Sequence, residues 1–129
     1  MRHASPRPGV ALLDSITEIK PEDRGCIIVA GSHGGASATA YALAHPPLAA
    51  FFNDAGGGKD DAGLSGLEPL AQAGIIAIAY SHRSARIGEA LDGWQNGIVS
   101  ACNSLGQAQG IAPGMNVQEA AAKLLSGRR

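Results

Sequence analysis

The sequence predicts a small three-layer α/β/α domain with a mostly parallel sheet, Rossmann-like or flavodoxin-like. Three observations carry that expectation. Short apolar runs without polar alternation recur at residues 26–30, 48–52 and 75–80, as in strands covered on both faces by helices. Helix-like stretches separate them, and alternation of strand and helix calls for parallel pairing with right-handed crossovers. Each run also stops abruptly in a polar, glycine-marked or charged cluster. In open parallel sheets the carboxyl ends of the strands are where ligands bind.

Taken in order, residues 1–9 read as a proline-containing N-terminal arm, and residues 10–129 as a single α/β domain. Residues 10–19 suggest an edge strand or a turn followed by a strand, because Ser15-Ile16-Thr17-Glu18-Ile19 alternates. A polar connector at 20–25 precedes the first clear strand at 26–30. Residues 36–45 are Ala-rich and end before Pro46-Pro47, which marks a short helix. The second strand is 48–52. Leu64, Leu67, Leu70 and Ala71 have helical spacing within 62–73, with Pro69 delaying or bending the helix and Gly74 ending it. The third strand, 75–80, precedes a helix expected over 85–94, where Ile87 and Leu91 stand four apart. Residues 97–110 fit either a fourth short strand followed by a helix or one helix. Pro113-Gly114 is a turn, and Asn116-Val117-Gln118-Glu119 has the spacing of a capped helix start.

Composition excludes several classes. The net charge of −1 and the lack of any basic block argue against a nucleic-acid surface. No apolar run approaches the ~20 residues that span a bilayer, and residues 10–13 are too short for a signal-peptide core. Cys26 and Cys102 form no CxxC pair and fit two reduced thiols. These features give a cytoplasmic protein without membrane partners as the expectation. A small sheet with exposed edges, flanked by Ala-rich helices, suggests a homo-oligomer that covers those edges.

The chemistry falls in the three clusters. In Gly31-Ser32-His33-Gly34-Gly35, the glycines allow close approach of a ligand to a helix N-terminus, and His33 can transfer a proton near neutral pH. The spacing matches neither a dinucleotide fingerprint nor a phosphate loop, so no cofactor is expected. In Asn53-Asp54-Ala55-Gly56-Gly57-Gly58-Lys59, an acid follows a buried strand directly, which is costly unless it is paired or hydrated. In Ser81-His82-Arg83-Ser84-Ala85-Arg86, two guanidiniums offer bidentate contacts to a carboxylate or phosphate. The expected catalytic residues are His33, Asp54, Ser81 and His82, with Asp54 orienting His33. The expected substrate contacts are Ser32, Gly34, Gly35, Asn53, Lys59, Arg83, Ser84 and Arg86. Metal ligation by His33, Asp54, Asp60 and His82 is an open alternative, but the spacing forms no metal motif, and none is assigned. His3 and His45 read as structural.

The order apolar strand, Ser-His-Gly, apolar strand is similar to the histidine strand of caspase-like proteases. In those enzymes the next strand ends in a nucleophilic Cys, whereas here it ends in Asn53-Asp54. The functional expectation is a small enzyme, a hydrolase by slight preference, acting on an anionic small metabolite. Its rivals are a non-catalytic metabolite-binding or regulatory module and an oligomeric assembly subunit.

Overall fold

The computed structural model describes residues 1–56 and 64–127. Its centre is a six-stranded sheet in sequential order: β1 (Arg2–His3), β2 (Val10–Leu13), β3 (Ile27–His33), β4 (Ala49–Asn53), β5 (Ile76–Tyr80) and β6 (Val99–Cys102). Strands β2 to β5 are parallel, while β1 and β6 pair antiparallel at the two edges. The helices are α1 (Ala36–Ala44), α2 (Leu67–Gln72), α3 (Ala90–Asn96), α4 (Ser104–Ala108) and α5 (Val117–Ser126). The domain is thus a small mixed α/β fold with a mostly parallel sheet. Among the described strands the order never reverses, unlike a doubly wound sheet with its switch point. No helix among the described residues is long and apolar enough to cross a membrane.

The unalternated apolar runs have a direct structural reason. Along β3, Ile27 and Val29 join one apolar cluster with Trp94, Ala120 and Leu124 of α3 and α5. Their neighbours Ile28 and Ala30 join a second cluster with Ala38, Ala42 and Leu70 of α1 and α2. Phe51 and Phe52 of β4 divide in the same way. Both faces of the sheet are buried, so successive residues must all be apolar.

Some boundaries differ from the sequence expectation. The strand in 10–19 is its first half. Residues 16–18 form a 3₁₀ turn, because Ser15 and Glu18 make a reciprocal cap in which the Ser15 N–H donates to Glu18 Oε2 at 2.9 Å. Residues 2–3 of the expected arm form β1, and the Arg2 guanidinium holds the nearly buried Asp23 through contacts of 3.1 and 2.6 Å. Residues 97–110 resolve into β6 and α4. The helix expected at 85 starts at Ala90, and Ile87 and Leu91 are exposed rather than core. Pro69 lies in the first turn of α2, where a missing N–H costs nothing. Asn116 caps α5 by accepting from the Glu119 N–H at 2.7 Å, as its spacing implies.

Candidate functional site

Parallel pairing places the ends of β2, β3, β4 and β5 on one rim. Asp14, His33, Asn53-Asp54 and Ser81 follow one another across it. Register sets His33 opposite Asn53 and Asn53 opposite Tyr80. The three expected clusters therefore meet on three adjacent strands.

A strap formed by residues 81–89 crosses this rim from β5 back to β2. It is pinned at each strand in turn. The His82 N–H donates to Asp54 Oδ1 at 3.0 Å, and Asn53 Nδ2 donates to the Ala85 carbonyl at 3.0 Å. The Gly88 N–H donates to the Gly31 carbonyl at 2.7 Å, and the Ala90 N–H donates to Asp14 Oδ1 at 2.9 Å. The approach at Gly31 leaves no room for a side chain. A Cβ there would stand 2.5 Å from Gly88 C, 2.6 Å from Glu89 N and 2.7 Å from the Asp14 carbonyl oxygen. Gly31 is thus required by the protein's own backbone.

On the β4–β5 side, Asp54 and His82 form a pair. His82 Nδ1 lies 3.1 Å from Asp54 Oδ1, and the Ser100 hydroxyl donates to Asp54 Oδ2 at 2.7 Å. The Gly56 N–H donates to Oδ1 at 2.8 Å, and Asn53 Oδ1 accepts from the Ala55 N–H at 2.8 Å. Ala55 and Gly56 both adopt left-handed backbone, with φ of 53° and 72°. Such a conformation costs about 1–2 kcal/mol for an Ala, and the Asn53 and Asp54 side chains hold it in place. The imidazole rests on Gly56, whose hypothetical Cβ would be 3.4 Å from His82 Cε1.

Burial pushes the Asp54 carboxyl up. Hydrogen bonds from Ser100, the Gly56 and His82 amides and the His82 ring outweigh it, and the group titrates below its ordinary range. With its carboxylate ionised, Asp54 accepts from Nδ1–H, leaving Nε2 as the basic nitrogen on a ring that is 44% exposed. That is an oriented proton acceptor at a solvent-facing position.

On the β2–β3 side the arrangement is different. His33 is exposed, its ring makes no hydrogen bond among the described residues, and it is not a partner of Asp54. Ser32 Oγ accepts from the Ile16 N–H at 2.8 Å. Both residues line a cleft of about 370 Å³ with Asp14, Ser37, Tyr41 and Ile87.

Hydrogen bonds within the fold engage most of the remaining expected residues. Asn53 is fully buried, its amide spent on Ala55 and Ala85. Gly34 accepts the Gly66 N–H through its carbonyl at 2.8 Å, and Gly35 is the N-cap position of α1. Ser81 Oγ accepts from the Arg83 N–H at 3.1 Å. Ser84 Oγ donates to the Ser81 carbonyl at 2.7 Å and accepts from the Ile98 N–H at 2.9 Å. Arg83 is exposed. Arg86 lines a separate depression of about 440 Å³, in which Glu89 Oε2 lies 4.0 Å from its guanidinium and Asp92 Oδ2 accepts its backbone N–H at 2.8 Å. Lys59 and Asp60 lie outside the described residues.

Sequence reasoning missed Ser100. The available signal was a hydroxyl inside the short apolar stretch Ile98-Val99-Ser100-Ala101, which points to a functional partner only once β6 is known to lie beside β5. Comparison of the chain with protein families, curated proteins and solved structures gives no match.

Proposed function

We propose that the protein is a small enzyme that uses His82, oriented by Asp54, as a general base and acid at the carboxyl rim of its sheet. The observation that carries this reading is the 3.1 Å contact between His82 Nδ1 and Asp54 Oδ1, with the other carboxylate oxygen fixed by Ser100. This is the orienting half of a nucleophile–base–acid constellation. The nucleophilic half is not in place. Among the described residues, neither Ser32 Oγ nor Ser81 Oγ is hydrogen-bonded to an imidazole; both accept backbone N–H groups.

Activation of water by His82 Nε2 therefore suits the site better than a covalent serine route, which favours hydrolysis. His82 would take a proton from water as it attacks and return it to the leaving group, with Asp54 stabilising the imidazolium between the two steps. Arg83, next to His82 in the chain, would meet an anionic group of the substrate. Arg86 is less suited, because Glu89 and Asp92 oppose an anion there. We place the enzyme in the cytoplasm as a homo-oligomer built on a Rossmann-like layering. The edge-strand motive for self-association is modest, because the 114–116 segment bonds to Val99 along the outer side of β6. Exposed Leu43 and Leu91 are the stronger motive.

The test is a turnover screen over small esters, amides and phosphate esters of carboxylate-bearing metabolites, run with wild type, His82→Asn and His33→Ala. A general base contributes typically ~10²–10⁴-fold, so His82→Asn should lose that factor and His33→Ala should not. Equal turnover by wild type and His82→Asn would reject the role. Ligand binding without turnover in any reaction class would favour a metabolite-binding module, since the rim would then recognise without transferring a proton.

A further inference from the structure

The geometry points to a second small-molecule site, separate from the Asp54–His82 pair, in the cleft at the ends of β2 and β3, which takes an uncharged ligand with a flat apolar face and hydroxyl or carbonyl groups along one edge. The cleft of about 370 Å³ lies within the range of small-ligand pockets. Neither Asp54 nor His82 lines it.

Its walls are unusual for this molecule. The chain has only 4% aromatic residues, and most of its large apolar side chains are buried. Tyr41 and Ile87, however, remain 43% and 52% exposed, and both line this cleft. A partly exposed phenol ring and an aliphatic side chain offer the face on which a flat apolar group packs.

Apart from Ser15 and Thr17, which hydrogen-bond each other at 2.8 Å, the hydroxyls and the imidazole of the lining keep hydrogen bonds to offer. The His33 ring, the Ser37 hydroxyl and the Tyr41 hydroxyl have no hydrogen-bond partner among the described residues. The Ser32 hydroxyl accepts from Ile16 and keeps its own proton to donate. No Lys or Arg is among the lining residues. The one carboxylate, Asp14, is engaged through Oδ1 by the Ala90 N–H at 2.9 Å and by His3 Nε2 at 2.9 Å. Its Oδ2 stands 3.6 Å from the N-terminal ammonium, so its charge is already matched and little is left for a cation, while the lining has no Lys or Arg to hold an anion. An uncharged ligand that gives and accepts hydrogen bonds satisfies this lining; an ion does not. The lining of this cleft is the same whether or not His82 acts as an acid–base group.

The experiment uses three probes that share one ring and differ in charge: 4-hydroxybenzyl alcohol, 4-hydroxybenzoate and 4-hydroxybenzylamine. Each is titrated into the full ¹⁵N-labelled chain while the amide signals of Gly31, Ser32, Ser37 and Gly88 are followed. The alcohol should move these four signals saturably, with a Kd of about a millimolar for so small a probe. The two ions should bind about tenfold more weakly or not at all. Tyr41→Ala and Ile87→Ser, both at exposed positions, should weaken the alcohol by about fivefold or more with the thermal midpoint unchanged. Tighter binding of either ion, or binding of the alcohol that survives both substitutions, would overturn the assignment.

Discussion

Two Ser-His pairs stand at the ends of β3 and β5, one strand apart on the same rim, and they live in opposite surroundings. In both pairs the serine hydroxyl accepts a backbone N–H, from Ile16 at Ser32 and from Arg83 at Ser81. The histidines then part company. His82 finds Asp54 at 3.1 Å, on a carboxylate fixed by Ser100, while His33 faces a cleft with no partner. The dipeptide does not decide the chemistry; the end of the intervening strand does. Asp54 follows β4, and the strap brings His82 back over it and past it toward β3. The same strap that delivers His82 to the acid also forms one wall of the His33 cleft through Ile87 and Gly88.

The strap is the sharpest point at which to break the contrast. Gly31→Ala would drive a methyl group into the backbone of Gly88, Glu89 and Asp14, all within 2.7 Å of the hypothetical Cβ. Backbone atoms at both ends of a pinned segment cannot step aside as a flexible side chain can. Overpacking of this kind costs about 3 kcal/mol, read as a fall of roughly 10 °C in thermal midpoint for a domain of this size. A variant as stable as wild type would show that the strap is not pinned at β3.

Asp54→Ala should cost about 2 kcal/mol, because it deprives the Gly56 amide, the His82 amide and ring, and Ser100 of their shared acceptor. Urea denaturation measures it, and a loss no greater than that of an exposed Asp→Ala control would contradict the network. The corresponding change on the other side, Ser32→Ala, removes one acceptor from Ile16 at a partly exposed position, where water can replace it. Its cost should be about 1 kcal/mol or less. If the order of the two losses is reversed, the contrast between the two pairs is wrong.

Acid provides a milder version of the same test. At Asp54, Asp14 and Asp23 burial pushes the carboxyl up, but the hydrogen bonds and charges around each outweigh it and hold the group below its ordinary range. A carboxyl depressed in the folded state stabilises the fold at pH above its unfolded value of about 4, and that contribution is lost as pH falls through the folded value. Thermal midpoints should therefore hold from pH 7 to about 5 and drop below about 4. Asp54→Ala should flatten part of that drop, whereas Ser32→Ala should leave it intact.

The sheet was largely legible because of its burial on both faces. Ile27-Ile28-Val29-Ala30 and Ile76-Ala77-Ile78-Ala79 send alternate side chains into two apolar clusters, and a double-faced strand leaves an unmistakable apolar run. The strap was not legible. Ile87 and Leu91 have the spacing of an amphipathic helix face, but both are exposed, and the strand-end hydrogen bonds that hold residues 81–89 irregular are long-range. The glycine cluster suggests room for a ligand, whereas the space at Gly31 is taken by the backbone of Asp14, Gly88 and Glu89. The strand-end location of the site residues followed from parallel pairing. The identity of the acid's partner did not, because the choice between His33 and His82 depends on where a loop crosses three strands. Ser100 was hidden for a related reason: its role arises from the antiparallel turn-back of β6 beside β5, which local periodicity cannot reveal.

The central claim is that Asp54 orients His82 and leaves His33 alone. Long-range ¹H–¹⁵N correlation spectra of the two imidazoles at pH 8 test it directly, in wild type and in Asp54→Ala. The account predicts that His82 carries its proton on Nδ1, facing the carboxylate, and that this preference disappears in Asp54→Ala while His33 keeps its wild-type pattern. A wild-type His82 with the same tautomer balance as His33, indifferent to the loss of Asp54, would contradict it.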